Sequence, residues 1–171
     1  IKILDNSTFH FESVTVPASP TPIPASDIIF LKLSDEGGTS ITSVGITFLF
    51  KDSVLHGNYE QQGSLNTDQR GIHIWINSHI MNECDVQFIN NNISLVHNGI
   101  DSFGGSSIHL DLKELRNSKV VVRDNQLFAD ATPITASYVQ VNNFYMPGSA
   151  DMSSSEIDIV NNTMFAYGKG A

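Results

Sequence analysis

One cysteine, one tryptophan, six prolines and nine basic residues mark what this 171-residue chain has little of. Cys84 alone can form neither an internal disulfide nor a zinc site, and it reads as a small packed residue. The Lys and Arg side chains are spread singly against 18 Asp and Glu, for a formal charge of −9. Such a surface neutralises no run of phosphates and holds no anionic leaflet, so nucleic acid and membrane surfaces are not expected partners. No apolar run approaches the ~18 residues of a spanning helix, which argues against direct membrane insertion by this segment. The chain starts at Ile1, with neither an initiator Met nor a signal peptide's basic start, and reads as soluble and cut from something longer.

What is abundant is neutral polarity: 15 Asn and 20 Ser accompany 40% hydrophobic residues, while charged residues reach only 16%. That balance excludes a disordered acidic tail and suits one domain spanning 1–171.

An internal repeat then organises the chain. Two apolar residues at alternate positions are followed three residues later by Asn, and two residues further by another apolar residue. Val86, Phe88, Asn91 and Ile93 form one copy; Val120, Val122, Asn125 and Leu127 a second; Ile157, Ile159, Asn162 and Met164 a third. Upstream, Phe48, Phe50, Ser53 and Leu55 place Ser at the Asn position, and Ile1, Ile3 and Asn6 lead into Phe9 with one extra residue. The Asn-type positions 6, 53, 91, 125 and 162 are separated by 47, 38, 34 and 37 residues, so the loops between them vary in length.

A further alternating segment falls between copies: Ile29/Leu31/Leu33, Ile72/Ile74/Ile76, Ile108/Leu110/Leu112, and 138–141, whose phase is open. Each unit therefore reads as strand, loop, strand, polar corner with Asn, and short third strand. Loops are expected at 15–26 with four prolines, 34–40, 58–70, 98–106 and 147–155, and the best helical spacing is Leu112 to Leu115. Strands that cannot bury an apolar face alone do so by stacking unit on unit, which predicts an all-β parallel β-helix of about five coils and three sheets. Ile159 is expected inside it. Asn at the corner tolerates a left-handed backbone and can hydrogen-bond the equivalent residue of the next coil, giving a ladder through Asn6, Ser53, Asn91, Asn125 and Asn162.

This arrangement resembles the right-handed parallel β-helix of the pectin-lyase-like superfamily over nearly the whole chain. The resemblance implies the right hand, places 86–89, 120–123 and 157–160 on the second sheet, and puts the ladder at the corner between the second and third. More loosely, "KVVVRDNQLFAD" and "EIDIVNNTMFA" look like repeats of the dispersed gene family surface proteins of trypanosomatids, which are large and membrane-anchored. Those are cysteine-bearing and far longer, and this chain starts and stops inside a unit. A segment continuing beyond both ends, or stacking end to end, is the expectation.

With apolar residues inward, the first sheet turns Phe30 and Lys32, His73 and Trp75, His109 and Asp111, and Gln140 outward. Coils about 4.8 Å apart would align these into a stripe suited to a sugar chain, with Trp75 stacking on a ring face. A loop over 58–70 covering Trp75 is the competing reading. His73 and His109 with Asp111 are candidates for a general base and its orienting carboxylate, although surface histidines on strands are commoner. The family's lyases use clustered acids for calcium with an Arg base, and its hydrolases use paired Asp; neither cluster is legible here. Asp35-Glu36-Gly37-Gly38 lacks the ligands of a calcium loop, and Gly104-Gly105-Ser106 lacks the Lys and helix of a phosphate cradle, so no metal or cofactor is expected. Asn6, Asn92 and Asn161 head N-glycosylation triplets, and Asn92 and Asn161 adjoin the ladder, from which glycans would project in a row.

The functional expectation is a non-enzymatic extracellular or cell-surface module: a spacer, fibre component or adhesin with a glycan-binding stripe. A polysaccharide lyase or glycoside hydrolase using the same groove is the alternative, resting on fold analogy.

Overall fold

Alternate apolar positions rich in β-branched and aromatic residues suit pleated strands with one face turned inward. The computed structural model describes residues 3–21, 23–24, 29–33, 42–60, 73–98, 108–131, 142–145 and 151–168, and every regular element among them is a strand. The first coil holds β1 (Ile3–Asp5), β2 (Thr8–Glu12), β3 (Thr15–Val16) and β4 (Ile23–Pro24). The second holds β5 (Ile29–Leu33), β6 (Thr42–Val44), β7 (Thr47–Lys51) and β8 (Val54–Glu60). Next come β9 (His73–Asn82), β10 (Asp85–Ile89) and β11 (Asn92–Asn98), then β12 (Ile108–Arg116), β13 (Lys119–Arg123) and β14 (Gln126–Ala131). The last coil holds β15 (Asn142–Tyr145), β16 (Glu156–Val160) and β17 (Thr163–Gly168).

Three parallel sheets result. The first runs β1-β6-β9-β12-β15 with β5 also on β9, the second β2-β7-β10-β13-β16, and the third β3-β8-β11-β14-β17 with β4 also on β8. Neighbours in each order come from successive coils, so every pairing bridges about one repeat of the sequence. The interior is a set of columns. Phe48, Val86 and Val120 stack in register on the second sheet, as do Phe50, Phe88 and Val122, and Leu55, Ile93 and Leu127 stack on the third; all are buried. Ile74, Ile76, Ile108, Leu110 and Leu112 close the first sheet's side. Opposite charges meet across coils on the second sheet's outer face, with Lys51 Nζ 2.8 Å from Glu12, Lys119 Nζ 3.2 Å from Glu156, and Arg123 against Asp158.

Several expectations change in this frame. In the third and fourth coils the first strand leads into the second through a two-residue corner, Glu83–Cys84 and Asn117–Ser118, and not through a loop. The proline-rich stretch 15–26 carries the short strands β3 and β4, which lie beside β8. Leu112 and Leu115, three apart, belong to β12; the alternation slips by one residue between them, so both point inward without a helical turn. Ile159 shares a column with Val122, yet it is 46% exposed because, among the described residues, no strand pairs with β16 on its far side.

The corners recruit left-handed backbone at equivalent places in all five coils. Asn6, Gly45, Glu83, Asn117 and Ser154 do so between the first and second sheets, and Ser13, Asp52, Asn90, Asp124 and Asn161 between the second and third, with φ between 46° and 63°. Small polar side chains tolerate this conformation, which explains the Asn, Asp and Ser there. Gly45 has an additional reason, since a Cβ on it would collide with Oδ1 of Asn6.

Candidate functional site

The stack is organised by two buried hydrogen-bond ladders. Oδ1 of Asn91 accepts from Ser53 N–H at 3.1 Å, Oδ1 of Asn125 from Asn91 N–H at 2.9 Å, and Oδ1 of Asn162 from Asn125 N–H at 3.0 Å. Each amide nitrogen reaches back to a carbonyl of the preceding coil: Asn91 to Phe50 at 2.9 Å, Asn125 to Phe88 at 2.9 Å and Asn162 to Val122 at 2.7 Å. Every ladder Asn thus satisfies both a donor and an acceptor that the corner would otherwise bury unpaired. Ser53 does half of this, accepting from Val14 N–H at 3.1 Å while donating to Lys51 within its own coil.

Asn6 is not a rung. Phe9 pairs with Phe48 and Phe11 with Phe50, a register that aligns Val14 with Ser53 and sets Asn6 opposite Gly45 at the other corner. The first copy of the repeat is therefore Phe9, Phe11, Val14 and Val16, with Val in the Asn place. Its separation from Ser53 is 39 residues, in line with the other intervals. Asn suits the left-handed backbone of either corner, so residue type alone does not distinguish them.

The second ladder escapes a search seeded on Asn. Cys84, Ser118 and Ser155 each stand two residues before an inward apolar residue of the second sheet. Ser118 Oγ accepts from Cys84 N–H at 2.9 Å and Ser155 Oγ from Ser118 N–H at 3.1 Å, while the Cys84 thiol lies 3.4 Å from the Ser43 carbonyl and 3.3 Å from that of Asn82. Cys84 is a small rung at the first corner, 3% exposed, and burial pushes its thiol pKa up. Thiol reagents are therefore expected to modify Cys84 only as fast as the fold opens. Labelling rates measured across a urea series should follow the unfolding curve; rapid native labelling would contradict this packing.

On the first sheet the main-chain register sets Trp75 beside Lys32 on one side and His109 on the other, with Asn143 next to His109. Asp111 stands between Asn77 and Tyr145 two residues further on, and His73 pairs with Ile29 before an irregularity in β5. The side chains of Lys32, His73, Trp75, His109 and Asp111 lie outside what is described, as do Gln140 and the whole 138–141 segment. The strand described beside β12 is β15, Asn142–Tyr145.

An open cleft of about 390 Å³ follows the first corner, lined by Glu83, Asp85, Asn117, Lys119, Ser154 and Glu156 with Cys84 and Ser118. It sets three carboxylates and one ammonium, already paired with Glu156, along three coils. Such a wall can hydrogen-bond hydroxyls. It went unnoticed in the sequence because its residues flank a corner and lie off the alternating stripe. Phe128, Phe165 and Tyr167 make an aromatic group on the third sheet, with Phe165 and Tyr167 rings 6.4 Å apart and 18° from parallel. Among the described residues no three His, Cys, Asp or Glu side chains gather as a metal site.

Asn6, Asn92 and Asn161 are exposed, but they do not form a row. Asn161 continues the corner column of Asn90 and Asp124, whereas Asn92 pairs with Val54 and Gln126 at the start of the third sheet. The two columns flank the ladder on opposite sides. Comparison of the chain with protein-family models, with curated proteins and with solved structures finds no match.

Proposed function

We propose that this chain forms a right-handed parallel β-helix that serves as a non-enzymatic extracellular or cell-surface module: a rigid spacer, fibre component or adhesin. The supporting observation is the unbroken ladder from Ser53 through Asn91 and Asn125 to Asn162, which ties four successive coils at one corner with a hydrogen bond in each interval. A second ladder at the opposite end of β10 and β13, from Cys84 through Ser118 to Ser155, locks the last three of these coils at another corner. Coils held at two corners cannot slide past one another without orphaning buried N–H groups, and that resistance is what a load-bearing or distance-setting element requires.

Contact with a glycan is assigned to the first-sheet row. The main-chain register sets Trp75 beside Lys32 and His109 in adjacent coils, with Asp111 two residues on, so residue types with an aromatic ring, a cation, an imidazole and a carboxylate occupy neighbouring register positions. Such groups suit ring-face stacking and hydroxyl hydrogen bonds. A glycan array probed with the chain and with Trp75→Ala, combined with reducing-end and unsaturated-product assays on each ligand found, tests both parts. Expected is binding that the substitution abolishes, without turnover. Turnover would replace this reading with a polysaccharide lyase or glycoside hydrolase, and undiminished binding by Trp75→Ala would remove the stripe from it.

A further inference from the structure

The outer faces of the second and third sheets differ in kind. The second is laced by ion pairs from coil to coil. The third has no Lys, Arg or Glu among its described outward side chains. Because Leu55, Ile93 and Leu127 point inward, one outward row sets His56, Ser94, Phe128 and Phe165 side by side in register. His56 Nδ1 and Ser94 Oγ are hydrogen-bonded to each other across two coils. The row before it holds Asn92, Gln126 and Thr163, all exposed, and Tyr167 stands two residues beyond Phe165. Three rings form one patch there: those of Phe165 and Tyr167 lie 6.4 Å apart and 18° from parallel, and that of Phe128 lies 5.5 Å from Tyr167. Phe165 is 51% and Tyr167 48% exposed. They turn sideways off the sheet and not along the stack, since Phe165 pairs with Phe128 and Tyr167 with Asp130, which turn the same way one coil earlier.

We infer that this outer face of the third sheet binds a neutral polysaccharide, one without carboxylate or sulfate groups, laid along the stack. Sugar rings offer flat C–H faces that cover Phe165, Tyr167 and Phe128, and hydroxyls at the ring edge that meet the amides of Asn92 and Gln126 and the hydroxyl of Thr163. Coils about 4.8 Å apart present these groups at a spacing close to one sugar ring per coil. Charge decides between neutral and anionic chains. An anionic polymer would meet Asp130 and a protein of formal charge −9, with no described Lys or Arg on this face to offset them. A neutral one meets amides, hydroxyls and rings and leaves no charge unpaired. The site goes beyond the first-sheet row, since it lies on another sheet and uses none of Lys32, Trp75 or His109.

Native electrophoresis through gels containing soluble glucan or mannan, with polygalacturonate as the anionic comparator, tests this on the 171-residue chain. At least one neutral polymer is expected to retard it, and polygalacturonate is not. The double variant Phe165→Ala/Tyr167→Ala should bind about tenfold more weakly or worse, at an unchanged urea midpoint because both rings are half in water. Gln126→Ala, an exposed side chain in the middle of the stack, should also weaken binding, and Trp75→Ala should keep it. No retardation by any neutral polymer, or retardation by polygalacturonate alone, would overturn the inference. Binding lost in Trp75→Ala but kept in the double variant would return the glycan to the first-sheet row and remove the third-sheet site while leaving the function proposed above intact. Sedimentation supplies the last arm: a dimer that the double variant dissociates would give this face to a second copy and sink the inference.

Discussion

Phe88→Ala is expected to lose about 3–5 kcal/mol of folding stability, read as a lower urea midpoint at an unchanged slope. Phe88 has no exposed surface, stacks between Phe50 and Val122 in adjacent coils, and sets its ring 5.4 Å from that of Phe48. Its neighbours are tied through the main chain to coils on both sides, so the cavity cannot collapse as it might beneath a loop. Ile159→Ala is the matched control from the last coil. With nearly half its surface already in water, it should cost less than about 1 kcal/mol. A loss at Ile159 as large as that at Phe88 would mean that the last coil is covered in solution, and the two variants together report on the end of the stack as well as its middle.

Asn125→Leu is expected to cost about 2–4 kcal/mol, although leucine is close to asparagine in size and adds apolar surface to the interior. The substitution strands Asn91 N–H, which Asn125 Oδ1 takes at 2.9 Å, and the Phe88 carbonyl, which the amide reaches at 2.9 Å. It also removes the side-chain pair between Asn91 and Asn125. Asn125→Ser should recover about half of the loss, because the hydroxyl of Ser53 meets the preceding N–H but turns its own proton to Lys51 in the same coil. Thermal and urea unfolding of the three proteins check the order Asn, Ser, Leu. A leucine variant as stable as the parent would show that water or main-chain movement meets these groups and that the ladder does not hold the coils.

The strand-forming segments were legible because their signal is local. Val86 and Phe88, Val120 and Val122, and Ile157 and Ile159 alternate with polar neighbours, and an alternating segment has one side to bury wherever it lies. The ladder was legible at Asn91, Asn125 and Asn162 because the apolar residues on both sides repeat at the same spacing. It failed at Asn6, where a true corner residue stands at the wrong corner, and the real first copy was hidden because Val14 has none of the chemistry that identifies the others. The rungs Cys84, Ser118 and Ser155 were hidden for the opposite reason: Ser is common in this chain, and a thiol beside two hydroxyls does not look like a repeat until the N–H of one is seen on the oxygen of the next.

The amino-acid sequence by itself determined which faces are apolar, where the backbone can turn left-handed, and that from Ser53 onward the chain repeats at roughly one coil per 34 to 38 residues. Those properties belong to a residue and its near neighbours. Only the tertiary structure decided which residue stands on which: Val14 over Ser53, Trp75 between Lys32 and His109, and Cys84 over Ser118. Register of this kind is set by main-chain hydrogen bonds between strands a whole coil apart. Loops of unequal length separate those strands, so counting along the chain does not reveal the partner, whereas the pairing of each buried N–H with one carbonyl or amide oxygen does.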